Sequence, residues 1–170
     1  MKNLVIAVLS GLMIFFVSCE EEDLSMERVP SSEVGRSQVF TINSRENKGF
    51  SVDALKLADF PKTDADFIII PQTNLTGDIM SPFLSNPDLE KRFFLSDEFE
   101  DSKSAQSYFE SYDVNPESED LQQFALNLKS NQVWLVKTLS GTFCKIWILE
   151  TKIDKSTSFV EIKFRAQKLV

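Results

Sequence analysis

The chain contains no histidine. Ser–His and Cys–His nucleophilic pairs, His-containing zinc sites and His-ligated haem are therefore closed to it. The chemistry left is that of carboxylates, two cysteines, two indoles and a thioether. Asp97-Glu98-Phe99-Glu100-Asp101 masses oxygen donors of the kind Ca²⁺ takes. It lacks the glycine and the alternating ligand spacing of a calcium loop, and it reads better as a solvated linker between two helices. Asp59, Asp64 and Asp66 lie around Pro61, just ahead of an apolar run. Paired carboxylates can exchange protons with a substrate, but these have the setting of loop and turn residues. Asn74-Leu75-Thr76 fits a glycosylation triplet and fits equally a turn before Gly77. Met80 is the one methionine beyond Met26; it is a soft ligand or, the better reading, a core gap filler. No catalytic residue, no metal ligand and no cofactor is assigned, and the chain is expected not to be an enzyme.

The two cysteines have separate fates. Met1-Lys2-Asn3 precedes an apolar run from Leu4 to Val17, about 14 residues where a membrane-spanning helix needs ~20. That length fits the apolar region of a secretory signal. Small Ser18 before Cys19 is what a lipoprotein signal peptidase requires, after which the Cys19 thiol carries diacylglycerol and Cys19 the acyl (palmitate-type) anchor. The alternatives are an ordinary signal peptide or a short buried helix. The abrupt charge at Glu20-Glu21-Glu22-Asp23 argues against a buried helix. That acidic block resembles the surface-export signal of Bacteroidetes-type lipoproteins, and it also suits a plain solvated tether. The expected address is the outer membrane, lipid-anchored, facing the cell surface or the periplasm. With Cys19 spent on lipid, Cys144 has no disulfide partner. It lies in an apolar strand-like stretch, the setting of an inert buried thiol.

Formal charge is −8, and removing residues 1–18 takes away one positive charge, Lys2, leaving −9. No basic stripe is visible, so nucleic acid is not an expected partner. Trp134 and Trp147 fall in adjacent expected strands. They form a cross-strand pair, or they line a groove that stacks on a flat ligand or sugar. They are the candidate ligand-binding residues.

Behind these side chains stand the elements that must position them. Residues 1–18 are the signal, 19–36 a polar acidic tether, and 37–170 one domain of a size that buries a real core. Strands are expected at Val39–Ile42, at Phe50–Val52 and at Asp66–Ile70, the last stopped by Pro71 and buried on both faces. Asn86-Pro87-Asp88-Leu89-Glu90 carries a helix start, with a cap, a first-position proline and first-turn acids, for a helix reaching Phe94. Ala105, Tyr108, Phe109 and Tyr112 recur at helical spacing, as do Leu121, Phe124, Ala125 and Leu128. The C-terminal stretch predicts a three-strand meander: Val133–Leu139, Phe143–Ile153 and Phe159–Gln167. In the third, Val160, Ile162, Phe164 and Ala166 alternate with Glu161, Lys163, Arg165 and Gln167, giving one dry face and one wet face. The expected class is α+β: an antiparallel sheet with the C-terminal meander, and two or three helices in the middle of the chain.

Gln132-Val-Trp-Leu-Val-Lys-Thr, followed by Ser140-Gly-Thr-Phe-Cys-Lys-Ile, resembles the HmuY-like lipoproteins of Bacteroidetes. Their pattern is a strand ending in Lys/Arg-Thr, a Gly-containing turn, then aromatic-x-Lys-aliphatic. Asp64-Ala65-Asp66-Phe67 is similar to their Ala-Asp-aliphatic strand. The likeness spans roughly 60 residues. It implies a β-rich fold and, for some members, haem capture outside the cell. Haem-binding members supply paired His or Met ligands, which this chain lacks, so no haem ligand is carried over. The expected function is that of a non-enzymatic ligand-binding or uptake-accessory lipoprotein, or else of a protein-interaction or assembly lipoprotein. The expected partners are the membrane, through the lipid, and a small molecule or a protein.

Overall fold

A computed structural model describes residues 37–61, 64–113, 116 and 120–169. The expected signal, Cys19 and the expected tether lie outside the described residues. Ten strands and one helix follow in order: β1 (Gln38–Asn43), β2 (Lys48–Ser51), β3 (Lys56–Asp59), β4 (Phe67–Thr73), β5 (Ile79–Ser85), β6 (Phe93–Glu98), α1 (Ser102–Ser111), β7 (Phe124–Ala125), β8 (Gln132–Lys137), β9 (Phe143–Asp154) and β10 (Phe159–Lys168). They build two five-stranded antiparallel sheets, ordered β1-β10-β9-β8-β6 and β3-β2-β4-β5-β7.

The two sheets share one core. Ile42, Trp134, Val136, Cys144, Ile146, Ile148, Ile162 and Phe164 from the first sheet pack with Phe50, Phe67, Ile69, Ile79, Leu84 and Ala125 from the second. This is a β-sandwich, with the alternate residues of each strand turned inward. Four phenylalanines from different strands meet near its centre. Phe50 lies 4.7 Å from Phe40, 5.3 Å from Phe67 and 5.1 Å from Phe164, ring centre to ring centre. A third layer covers part of the first sheet's outer face, where Ala105 and Phe109 of α1 pack on Val133 and Trp147.

The α+β expectation is corrected: among the described residues the fold is mostly β, with a single short helix. Of the expected helices only α1 forms. Asp101 caps it, its carboxylate accepting from the Lys103 and Ser104 amides at 2.9 and 3.0 Å. At Asn86 the capping chemistry is present without the helix. Asn86 accepts from the Glu90 amide at 3.0 Å, but Leu89 takes a positive φ of 58° and ends the turn. Phe93-Phe94-Leu95 then pair with β8 as β6. The stripe of Leu121, Ala125 and Leu128 is buried as its spacing demands, yet on irregular backbone. Gln122 bridges Phe93, Phe124–Ala125 pair with β5, and Asn127 has φ 55°.

The meander forms as β8–β9–β10, paired in sequence. β4 runs through Pro71 instead of stopping there, and Pro71 faces Pro82 across the ladder. Neither proline can donate, and here neither must. β2 reaches only Phe67 and Ile68 of β4, while β7 reaches only Leu84 and Ser85 of β5. Ile68 and Ile70 are half-buried, so β4 is covered fully on its inner face alone. One residue of close approach is fixed by sterics. A Cβ on Gly49 would stand 2.4 Å from the Ala65 Cβ, so only glycine fits where residue 65 crosses β2.

Candidate functional site

The two candidate tryptophans sit on opposite faces of one sheet. Trp134 lies opposite Ile146, and Trp147 opposite Val133. With side chains alternating, Trp134 points into the sandwich and Trp147 out beneath α1. They form no cross-strand pair and share no groove. Both are covered, at 2% and 6% exposure. The Trp134 indole N–H donates to Gln132 at 3.1 Å; the Trp147 indole N–H is buried with no partner.

Trp147 belongs to a cationic–aromatic stack under α1. The Phe109 ring lies 6.1 Å from Trp147, with Lys145 Nζ 5.0 Å and the Arg165 guanidinium 5.7 Å from its centre. Burial lowers the Lys145 ammonium's pKa, while Asp113 nearby raises it. Lys145 spends its charge on the open carbonyl at the helix end, donating to Tyr112 O at 2.6 Å. Arg165 pairs with Glu110 at 3.1 Å. These contacts hold the helix down and leave neither cation open to a ligand.

The acidic residues scatter into separate duties. Asp97 and Glu98 end β6, Glu98 pairing with Lys129 at 3.1 Å and accepting from Gln132 at 2.9 Å, while Asp101 caps α1. The run joins a strand to a helix rather than two helices. Among the described residues no group of three or more potential ligands could hold a metal ion. Met80 is 60% exposed, the extra residue of a bulge between β4 and β5, and fills no gap in the core. Asn74 and Thr76 are bound into a tight turn with Asp78. Cys144 is fully buried, and desolvation pushes its thiol up to about 12; it is not a nucleophile.

Two depressions lie among the described residues. The larger, about 360 Å³, is an open cleft along the β2–β3 hairpin. It is lined by Lys48, Ser51, Lys56, Asp59 and Asp64 among others. Lys48 and Asp59 face each other across the hairpin and form an ion pair. Its described lining carries two cations and two carboxylates beside Ala54, Leu57 and Ala58, which suits a small zwitterionic molecule with an apolar part. The smaller, about 50 Å³, lies on the outer face of the first sheet among Thr41, Glu150, Lys152, Glu161 and Lys163. A bulge makes it. Lys163 faces Glu150 while Phe164 faces Ile148, so Leu149 is the extra residue. Leu149 packs toward α1, and beyond it Glu150 and Lys152 face outward opposite Lys163 and Glu161.

Asp66 lies in a bend just before β4, the loop setting its sequence suggests, but its burial and bracing role are not legible there. It is 2% exposed, and it accepts from the Val52 amide at 2.7 Å and the Leu139 amide at 2.8 Å. It ties the turn after β2 to the turn after β8, one from each sheet. Its sequence signal is an acid immediately before an apolar run. Cys19, the expected lipidation site, lies outside the described residues. No protein-family model, no curated protein and no solved structure matches this chain.

Proposed function

We propose that this chain is a cell-envelope lipoprotein that works by binding rather than by catalysis. Residues 1–18 direct export, Cys19 carries the lipid, and the sandwich is displayed from the outer membrane on the acidic tether. Of the two binding modes, engagement of a protein through a sheet surface or edge is the better supported. The observation that carries it is the burial of both indoles. Neither the β2–β3 cleft nor the depression beside Thr41 has an aromatic side chain in its lining, whereas small-molecule sites are concave and lined by apolar and aromatic side chains.

Metabolic labelling with a palmitate analogue tests the anchor. The full chain takes up label and Cys19→Ser does not; label retained in Cys19→Ser overturns it. Affinity capture from membranes tests the binding mode. A stoichiometric envelope protein, lost on mutating exposed strand residues, supports it. A second reading, a small polar ligand in the β2–β3 cleft, is favoured by the cleft's volume and balanced charges. Thermal shift with zwitterionic metabolites, abolished in Lys56→Ala, would favour that reading over the first.

A further inference from the structure

A sheet edge is a row of unpaired N–H and C=O groups that can add another strand. Three of the four edges here are blunted. β3 is four residues long with Lys56 and Asp59 at its ends. β7 is two residues long. β6 is interrupted at Ser96, ends in Asp97 and Glu98, and is bridged at Phe93 by Gln122. Among the described residues β1 has no such protection. Gln38-Val39-Phe40-Thr41-Ile42-Asn43 carries no charge and no proline, and it pairs with β10 in unbroken register.

The ladder decides which of its groups are open. The Ser44 amide donates to Val160 O at 2.9 Å, and Ser44 continues the β1–β10 register. Even-numbered residues therefore bond to β10, while Val39, Thr41 and Asn43 aim their main-chain groups at the free side. Gln38, Val39 and Thr41 are exposed, Val39 by 53%. Among the described residues no strand pairs with that side.

We infer that β1 pairs antiparallel with β1 of a second copy, about a twofold axis at Thr41, so that the two first sheets run on as one. A twofold at Thr41 pairs residue 39 with 43 and 41 with 41, so the free main-chain groups of both copies meet. In this register Thr41 faces Thr41 of the copy on the outer face, a favourable hydroxyl pair, and Phe40 faces Ile42 on the inner face. A twofold at Phe40 would set Gln38 against Ile42, polar against apolar. In an acidic chain this neutral strand does not repel its copy and offers nothing to a charged peptide. One strand pair buries less than the ~1,200 Å² of a standard interface, so confinement by the Cys19 lipid is what makes it form. The inference thus rests on the anchored, protein-binding reading above.

Cysteine crosslinking of the full chain in membranes tests it. Paired Thr41 Cα atoms would lie ~5.5 Å apart, within the disulfide range of about 4.4–6.8 Å. Lys163, beside Thr41 on β10, would lie ~15 Å from its copy at about 4.8 Å per strand. Thr41→Cys should run mainly as a disulfide dimer on non-reducing gels, at least tenfold above Lys163→Cys. Val39→Cys co-expressed with Asn43→Cys should also dimerise, and neither alone; this arm stands even where Thr41→Cys misfolds. Dimer no greater than in Lys163→Cys in both arms overturns the pairing. A palmitate-labelled chain that stays monomeric overturns the pairing alone and leaves the anchor standing. Dimer in the chain without introduced cysteines marks a free Cys19 and overturns the anchor instead.

Discussion

Replacing Asp66 by alanine removes the one side chain that accepts from both sheet turns. The Val52 amide then lies buried without an acceptor, at a cost of about 1–3 kcal/mol. The Leu139 amide is half-buried; water can reach it, and its loss costs about 0.5–1.5 kcal/mol. Relief of the buried carboxylate's own desolvation offsets part of this, leaving a net loss of about 2–3 kcal/mol. For a domain of this size that lowers Tm by ~10 °C. Urea and thermal unfolding of the full chain, followed by circular dichroism, measure it. Asp53→Asn, an exposed control, should stay within about 0.5 kcal/mol of the parent. A loss in Asp66→Ala no larger than the control's refutes the bracing role. Acidity supplies a second check with a definite sign. Desolvation raises the Asp66 carboxyl above its ordinary 3.8, and the two amides pull it only partly back. The folded state therefore holds this proton more tightly than the unfolded state does. Its stabilising contribution is full below 3.8 and is lost as pH rises through the higher folded value. The stability of the parent minus that of Asp66→Asn should fall with rising pH in the window just above 3.8. A rising difference there would show that hydrogen bonding outweighs desolvation.

Gly49→Ala should destabilise by about 1–3 kcal/mol through forced overpacking against Ala65 and the Phe67 carbonyl, with part of the loss recovered in Gly49→Ala/Ala65→Gly; a neutral Gly49→Ala in urea unfolding contradicts the close approach. The Cys144 thiol should resist a disulfide reagent at pH 8 in the folded chain and react fully in urea, since its pKa is about 12 when buried. Unfolded lipidated protein should titrate one thiol, and two would show Cys19 free. Arg92, with its side chain 8% exposed, pairs with Asp88 and Glu90. Arg92→Ala should cost about 1–3 kcal/mol by thermal unfolding, less than a fully buried pair because both acids keep water. Arg92→Lys should recover only part, lacking the guanidinium fork.

The elements most legible in the sequence are those whose pattern is local and repeated. Val160, Ile162, Phe164 and Ala166 alternate with charges, and β10 lies where they predict it. Ala105 and Phe109 mark α1 because a capping aspartate starts a helix in front of them. The same spacing at Leu121, Ala125 and Leu128 misleads, for burial at i, i+4 and i+7 is a demand of the core and not of the helix. There the core is reached by a bridge to Phe93, two residues of β7 and a left-handed Asn127. β5 is not legible in the sequence, because Met80, Ser81 and Pro82 break its alternation with a bulge and a proline.

The candidate site shows the same division. Trp134 and Trp147 are on neighbouring strands, as their sequence context implied, but the register sets one residue's parity against the other and sends the indoles to opposite faces. A shift of one position would have put them side by side. Asp66 and its two amide donors come from three segments far apart in the chain, so no local pattern could reveal the brace.

From its residues alone, then, the chain shows the absence of histidine chemistry and a meander at its C-terminus, and the proposed export signal and lipidated Cys19 rest on its residues alone. These are properties of composition and short-range order. That the meander joins a sandwich, that both tryptophans are covered, that Leu149 turns Glu150 and Lys152 outward, and that β1 is the unprotected edge among the described residues are decided only by the tertiary structure. Each depends on which strands become neighbours and in what register, and that is set by closing one apolar core between two sheets.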